Sequence, residues 1–307
     1  AMAAVPSKSI PAAVNGGQNE TTAAYRLFDN DALGFENILQ PHIDATYERV
    51  AKQDVVIVAQ DTTEVELTRP KVQVEGAGPL DGNSRFGELL HPLIAFTPTG
   101  VPLGTIYAEV WTREMGPSKA KDRKNLPIEE KESLRWLDTH RHAQEIAQGQ
   151  PETKFVCVAD SEADVFEVIE CDQDSPDNFQ WIIRSCYDRS LVTDDPEESN
   201  HLHQQLLETP VRYRKAIYIR GRDKKLECDQ RARSQPRVSR ECEIEVRATT
   251  VTLNDPYRSD RKLQPTTVHA ILAQEINPTE DVVPVSWLLL TNMPIATEQE
   301  IETVISY

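Results

Sequence analysis

No stretch of this sequence approaches the roughly 20 consecutive apolar residues that a membrane-spanning helix needs. The opening residues 1–17 also lack the charged-then-apolar order of a secretory leader. A cytoplasmic location with no membrane partner is the expectation. Paired cysteines are missing too. Cys157, Cys171, Cys186, Cys228 and Cys242 are odd in number, widely spaced and never arranged C-x-x-C, which suggests neither a disulfide framework nor a cysteine zinc site. They read as reduced thiols, mostly buried. Positive charge is scarce: 33 Lys and Arg stand against 50 Asp and Glu, a net charge of −17 that excludes uniform electrostatic wrapping of nucleic acid. There is no G-x-x-x-x-G-K-[ST], no strand-linked G-x-G-x-x-G and no G-x-S-x-G, so nucleotide-binding and serine-hydrolase readings drop out. The histidine pairs His140/His142 and His201/His203 have i, i+2 spacing, which brings two rings together only on a strand face, and they read as solvated or helix-surface residues.

What is present is an ordered alternation of apolar patterns in 307 residues, enough for one full core and an inserted or second unit. Residues 1–20, poor in large apolar groups, read as a disordered lead-in. Helical spacing over residues 33–52 gives a helix or a pair of helices kinked at Pro41, which feeds the β-branched strand run Val55-Val56-Ile57-Val58-Ala59. Two further strands, residues 89–96 and 103–111, flank a Thr97-Pro98-Thr99-Gly100 turn and form a hairpin. An amphipathic helix over residues 127–147 precedes a second buried strand, Phe155-Val156-Cys157-Val158-Ala159, then a short helix and a fifth strand, Phe179–Arg184. Residues 190–285 read as a β-rich insertion, and residues 286–307 as a return to the core and the start of a helix.

The chemistry-bearing feature is a pair of acidic tips. Asp61 and Asp160 each follow directly on a buried strand, which fixes a carboxylate rigidly while the sheet edge leaves it open to a ligand. If their strands are neighbours, the two carboxylates converge on a hard divalent cation, Mg²⁺ or Mn²⁺, and the implied chemistry is phosphoryl transfer. The competing reading of each is a turn or helix N-cap. Glu162 and Asp164 read as first-turn helix residues that support the site. Residues 211–247 carry twelve Lys or Arg against six Asp or Glu, a local excess that reads either as a solvated strand face or as a phosphate-tracking surface. Arg212, Arg214, Lys215, Arg220, Arg222, Lys224 and Lys225 are its candidate DNA contacts.

A family resemblance rests on an ordered series of segments. They are Ala24-Tyr25-Arg26-Leu27-Phe28-Asp29-Asn30, Pro41-His42 with Thr46-x-Glu48-Arg49, and Gln60-Asp61-Thr62-Thr63-Glu64. His91, Gly100-Val101-Pro102-Leu103-Gly104, Trp111-x-Arg113, Lys131-Glu132-Ser133-x-Arg135-Trp136-Leu137 and Ala159-Asp160-Ser161-Glu162-Ala163-Asp164 continue it. Together these resemble the Tn-five-like, insertion-sequence-four type of bacterial cut-and-paste DNA transposases. The resemblance implies an α/β fold: an RNase-H-like mixed five-stranded sheet flanked by helices, occupying residues 21–189, with the β-rich insertion after the fifth strand. It implies an Asp, Asp, Glu triad in which Asp61 and Asp160 hold two Mg²⁺ or Mn²⁺ ions for DNA strand cleavage and strand transfer. The implied partners are double-stranded DNA, as transposon ends and target, and a second subunit in the active homodimer of the full-length protein.

Two departures stand out. Ser161 occupies the place of the family's usual arginine, and the helix that bears the family's glutamate follows a segment like Thr303–Tyr307, where this chain stops. Glu298, Glu300 and Glu302 precede that place and do not match it. A catalytic-core fragment with weak or undetectable cleavage is therefore expected. Its alternative is an inactive relative that inhibits by binding DNA or an intact transposase. A haloacid-dehalogenase-like phosphatase would fit the D-x-x-x-D spacing of Asp160 and Asp164, but Thr63 stands where its general acid belongs.

Overall fold

The strand Val55–Gln60 (β1) lies at the centre of the molecule because its sequence, VVIVAQ, is β-branched and apolar, and Val56, Ile57 and Val58 are all buried. Burying each such side chain contributes about 1.5–3 kcal/mol. The computed structural model describes the chain except for residues 1–4, 6–7, 69–73, 82–83, 115–125, 172–174, 194–199, 222–236, 259 and 280–281. On one side β1 pairs in parallel with Lys154–Ala159 (β6), which pairs in parallel with Phe179–Arg184 (β7). On its other side β1 runs antiparallel to Arg85–Phe96 (β4), and β4 forms a hairpin with Pro102–Trp111 (β5). The local strand order is thus β5-β4-β1-β6-β7.

Two short strands escaped the sequence reading. Thr63–Glu66 (β2) continues along β4 beyond β1, and Gly78–Asp81 (β3) also pairs with β4. Both lie among polar and glycine-rich residues, where no apolar alternation marks them.

The expectation of a five-stranded sheet is corrected by the second half of the chain. Val211–Ile219 (β8), Arg240–Leu253 (β9), Thr266–Glu275 (β10) and Ser286–Thr291 (β11) form an antiparallel run that joins the same sheet, β11 pairing with β7. Among the described residues the result is one sheet of eleven strands. The reason is that β7 ends the parallel set with an open edge of unpaired backbone groups, which β11 satisfies.

The two faces of this sheet are covered differently. Phe35–Val50 (α3), Leu134–Gly149 (α4), Phe166–Glu170 (α5) and Leu202–Glu208 (α6) contribute Val50, Leu137, Val168 and Leu206 to a core that includes Val56, Val58, Phe155, Cys157, Trp181 and Ile183. On the opposite face Glu298–Ser306 (α7) packs Ile301 and Val304 against Val156, Ile182, Ile244 and Ile271. The alternation of each strand sends successive side chains to these two cores in turn.

Pro41 sits inside α3, which remains one helix. Several residues of the family-like motifs prove to be fasteners between elements. Arg49 Nε donates to the carbonyl of Leu103 at 2.6 Å, and His42 Nε2 accepts the Thr105 N–H at 3.0 Å. Between these contacts Gly104 adopts φ +135°, and a Cβ there would run into Thr46 Oγ1 and the Arg49 guanidinium. Arg113 holds Glu132 through both carboxylate oxygens, at 2.6 and 2.8 Å, and Arg135 stacks 3.8 Å from the centre of the Trp111 ring.

Three smaller expectations change. The lead-in over residues 1–20 carries Ile10–Ala13 (α1) and the start of Gln18–Phe28 (α2), because Pro11 suits a first helical turn and the alanines favour helix. Among the described cysteines only Cys157 is buried, while Cys171 and Cys242 are half-buried and Cys186 is exposed; Cys228 lies outside the described residues. His140 is fully buried in α4 rather than on its surface, edge-on to Phe179 at 5.1 Å, whereas His142 keeps to the exposed side with Glu145. No helix among the described residues is long and apolar enough to cross a membrane.

Candidate active site

The parallel register of β1 and β6 ends on the pair Gln60 and Ala159. The next residues are Asp61 and Asp160, so the two acidic tips stand side by side at one level of the sheet. Alternation fixes their direction. Gln60 is buried against Cys157 in the helix-rich core, and Val156 and Val158 face α7, so Asp61 and Asp160 emerge on the α7 face.

Each carboxylate has one oxygen engaged. Asp61 Oδ1 accepts the Thr62 N–H at 2.7 Å, and Asp160 Oδ1 accepts the Glu162 N–H at 2.8 Å as the N-cap of the turn Ser161–Ala163. The N-cap role and the tip role therefore coexist at Asp160. Both residues are exposed, and each second oxygen has no hydrogen-bond donor among the described residues. The Asp61 carboxyl is pushed above its ordinary value. Desolvation is the largest cause, the Thr62 N–H pulls the other way, and the charge of Asp160 raises it further. The reach of the Asp160 charge to Asp61 agrees with the register that sets them side by side.

Arg184 is the residue the sequence reading passed over. The pairing of Ala159 with Ile183 puts Arg184 beside Asp160, and β7 alternation sends it to the α7 face, since Trp181 and Ile183 belong to the helix-rich core and Ile182 to the other. Arg184 is exposed and makes no ion pair among the described residues. Asp61, Asp160 and Arg184 thus form a row across three parallel strand ends. The signal available in the sequence was a charged residue closing an apolar strand, the same signal that singled out both aspartates.

Glu162 lies exposed in the turn that Asp160 caps. Asp164 has a different task. Its side chain is fully buried, pairs with Arg189, and accepts from Ser185 Oγ at 2.8 Å, Cys186 N–H at 2.8 Å and Tyr187 N–H at 3.2 Å. It stitches the end of β6 to the segment leaving β7 and offers nothing to a ligand.

Among the described residues, three of the basic candidates are engaged within the protein. Arg212 donates to the carbonyls of Ile295 and Ala296, Arg214 pairs with Glu245 at 2.8 Å, and Lys215 pairs with Glu302. Arg220 alone of the four described candidates is exposed with no ion pair to another described residue. Arg222, Lys224 and Lys225 lie outside the described residues. On α7, Glu302 also accepts from the Tyr213 hydroxyl at 3.0 Å, and Glu300 is committed to the capping box with Thr297.

Oxygen donors from two facing carboxylates suit a hard divalent cation, which would relieve the repulsion felt by Asp61. Among the described residues no group of three or more His, Cys, Asp or Glu gathers as a metal cage. No protein-family model matches the chain. Among solved structures it is similar to the NurA nuclease from Sulfolobus solfataricus, at 10% identity over 92% of this chain and 84% of that one, with a TM-score of 0.35. At that score the likeness says nothing further about this chain.

Proposed function

We propose that this chain is the catalytic-core part of a divalent-metal-dependent polynucleotidyl transferase of the cut-and-paste transposase type, acting on double-stranded DNA. The observation that carries the reading is the register that sets Asp61 beside Asp160 at the ends of β1 and β6, on the face away from the helix-rich core. The order β5-β4-β1-β6-β7, with only the last three strands parallel, supports an RNase-H-like arrangement extended by the antiparallel run β11 to β8.

Asp61 and Asp160 would hold Mg²⁺ or Mn²⁺ through their second oxygens. When bound, such a cation acidifies a coordinated water and neutralises charge gathering on the phosphate. The chain's own residues do the positioning. The two strand ends hold the carboxylates rigidly, and Arg184 presents a planar guanidinium beside them that accepts a phosphate through paired N–H groups. Glu300 and Glu302 are engaged elsewhere, Glu300 in the capping box with Thr297 and Glu302 with Lys215 and Tyr213 of β8, so neither is offered here as a third carboxylate.

A second reading is favoured by the small donor set: with only two carboxylates gathered among the described residues, the chain binds DNA without cutting it. Calorimetric titration with MnCl2 of the wild type, Asp61→Ala and Asp160→Ala, beside a plasmid-nicking assay, separates the readings. Binding that disappears in both variants, with slow Mn²⁺-dependent nicking lost with it, is the expected result. Binding without nicking favours the second reading. Affinity unchanged in both variants removes the metal site from consideration.

A further inference from the structure

The antiparallel ladder of β4 with β1 and β2 keeps a single register, Gln60 facing Leu93 before the break between β1 and β2 and Thr63 facing Leu90 after it. Asp61 and Thr62 therefore face Pro92 and His91. Proline has no N–H to give to a ladder, so pairing lapses at the level where Asp61 stands. A carboxylate on an unpaired stretch of backbone would lose the rigidity that makes a strand end useful as a site.

Side chains close the gap. His91 is wholly buried, its ring edge-on to Trp136 at 4.7 Å. Its Nδ1 lies 2.7 Å from Thr62 Oγ1, and its Nε2 lies 3.2 Å from Gln60 Oε1. Gln60 Nε2 donates to Cys157 Sγ at 3.5 Å, which leaves Oε1 to accept from His91 Nε2–H and Nδ1 to accept the Thr62 hydroxyl proton. Burial pushes the imidazole pKa down to about 4, so the ring stays neutral and keeps one donor and one acceptor.

We propose that His91 is a positioning residue for Asp61: by gripping the side chains of Gln60 and Thr62 across the gap opposite Pro92, it fixes the backbone that carries the carboxylate beside Asp160. The same bonds run on through Gln60 to Cys157 of β6, so the two acidic tips are set relative to one another. This rests on the metal-site reading above, and the test separates the two.

The test uses the full chain with His91→Phe, which keeps a ring against Trp136 and removes both bonds, and Thr62→Val, which removes only the hydroxyl. MnCl2 affinity is measured by calorimetry, and amide hydrogen exchange is followed at residues 60–62. The expected result is affinity about 10-fold weaker in both variants and faster exchange at Thr62, with protection of β6 and β7 retained. His91→Gln, which carries a donor and an acceptor, recovers part of the loss. Affinity and exchange unchanged in both variants overturn the proposal. If the wild type binds no Mn²⁺, or Asp61→Ala binds as well as wild type, the metal reading fails, and exchange alone decides: faster at Thr62 upholds the positioning role and unchanged exchange ends it. Should His91→Phe fail to fold, Thr62→Val carries the same comparison.

Discussion

Asp61 and Asp160 extend two neighbouring parallel strands past one pair of register partners, Gln60 and Ala159, so their carboxylates meet at the same level of the sheet. Nothing in the folding of either strand alone requires that meeting. It is produced by the pairing of β1 with β6, two apolar runs separated by about ninety residues of sequence.

The surroundings of Asp61, desolvation first and the Asp160 charge after it, have a thermal consequence. The Asp61 pKa is raised in the folded chain, so its charged form is less favourable folded than unfolded, and near neutral pH the group detracts from stability. As pH falls through the raised value the penalty disappears. Asp61→Asn is expected to raise the melting midpoint at pH 7 without divalent ions by about 1–2 °C, with the difference vanishing below the ordinary aspartate value of 3.8. A lower midpoint at pH 7 would show that the folded state does not disfavour the Asp61 charge.

Arg184 separates DNA contact from metal contact. Arg184→Ala is expected to leave Mn²⁺ affinity within about two-fold of wild type while weakening binding to a DNA duplex, with the slope of log affinity against log salt smaller by about 1. A variant with the wild-type salt slope would remove Arg184 from the DNA surface.

Buried histidines make the fold acid-sensitive. Among the described residues neither ring nitrogen of His140 has a hydrogen-bond partner, and burial pushes its pKa down to about 3, while burial pushes that of His91 down to about 4. Both values are below the ordinary 6.5, so the unfolded chain takes up these protons first. Their contribution is complete above 6.5 and is lost as pH falls below it. At pH 5 each costs about 2 kcal/mol relative to pH 8. Denaturant midpoints at the two pH values should show His140→Phe losing about half as much of this stability as wild type; an identical pH response in wild type and variant would contradict the assignment.

The Asp164–Arg189 pair is costly to break from one side. Arg189→Leu strands a fully buried carboxylate and is expected to destabilise the chain by about 3–5 kcal/mol. Asp164→Ala should cost less in charge but free the Cys186 and Tyr187 amides, read as faster hydrogen exchange there. Equal, small losses in both variants would mean the pair is exposed to water.

Apolar periodicity made β1, β4, β5, β6 and β7 legible, because each is a run or alternation long enough to stand out, and it made Asp61 and Asp160 legible as strand-end carboxylates. It also marked the β-rich stretch and α7. It could not mark β2 and β3, which are four residues long with too few apolar side chains to show an alternation and whose pairing depends on the extra length of β4. Nor could it tell a ligand-facing acid from an anchoring one. Asp164 and Asp160 are four residues apart in sequence, yet one is buried with Arg189 and the other exposed.

What the sequence by itself determined is therefore the set of strands and the acids at their ends, since local pattern dictates which backbone is extended and where it stops. The tertiary structure alone decided which strands are neighbours and in what register. From that follow the row Asp61, Asp160, Arg184, the engagement of Arg212 by backbone carbonyls and of Arg214 and Lys215 by carboxylates far along the chain, and the capture of His91 by residues on both sides of Asp61. Each of these depends on backbone hydrogen bonds between segments distant in sequence, which no local propensity encodes.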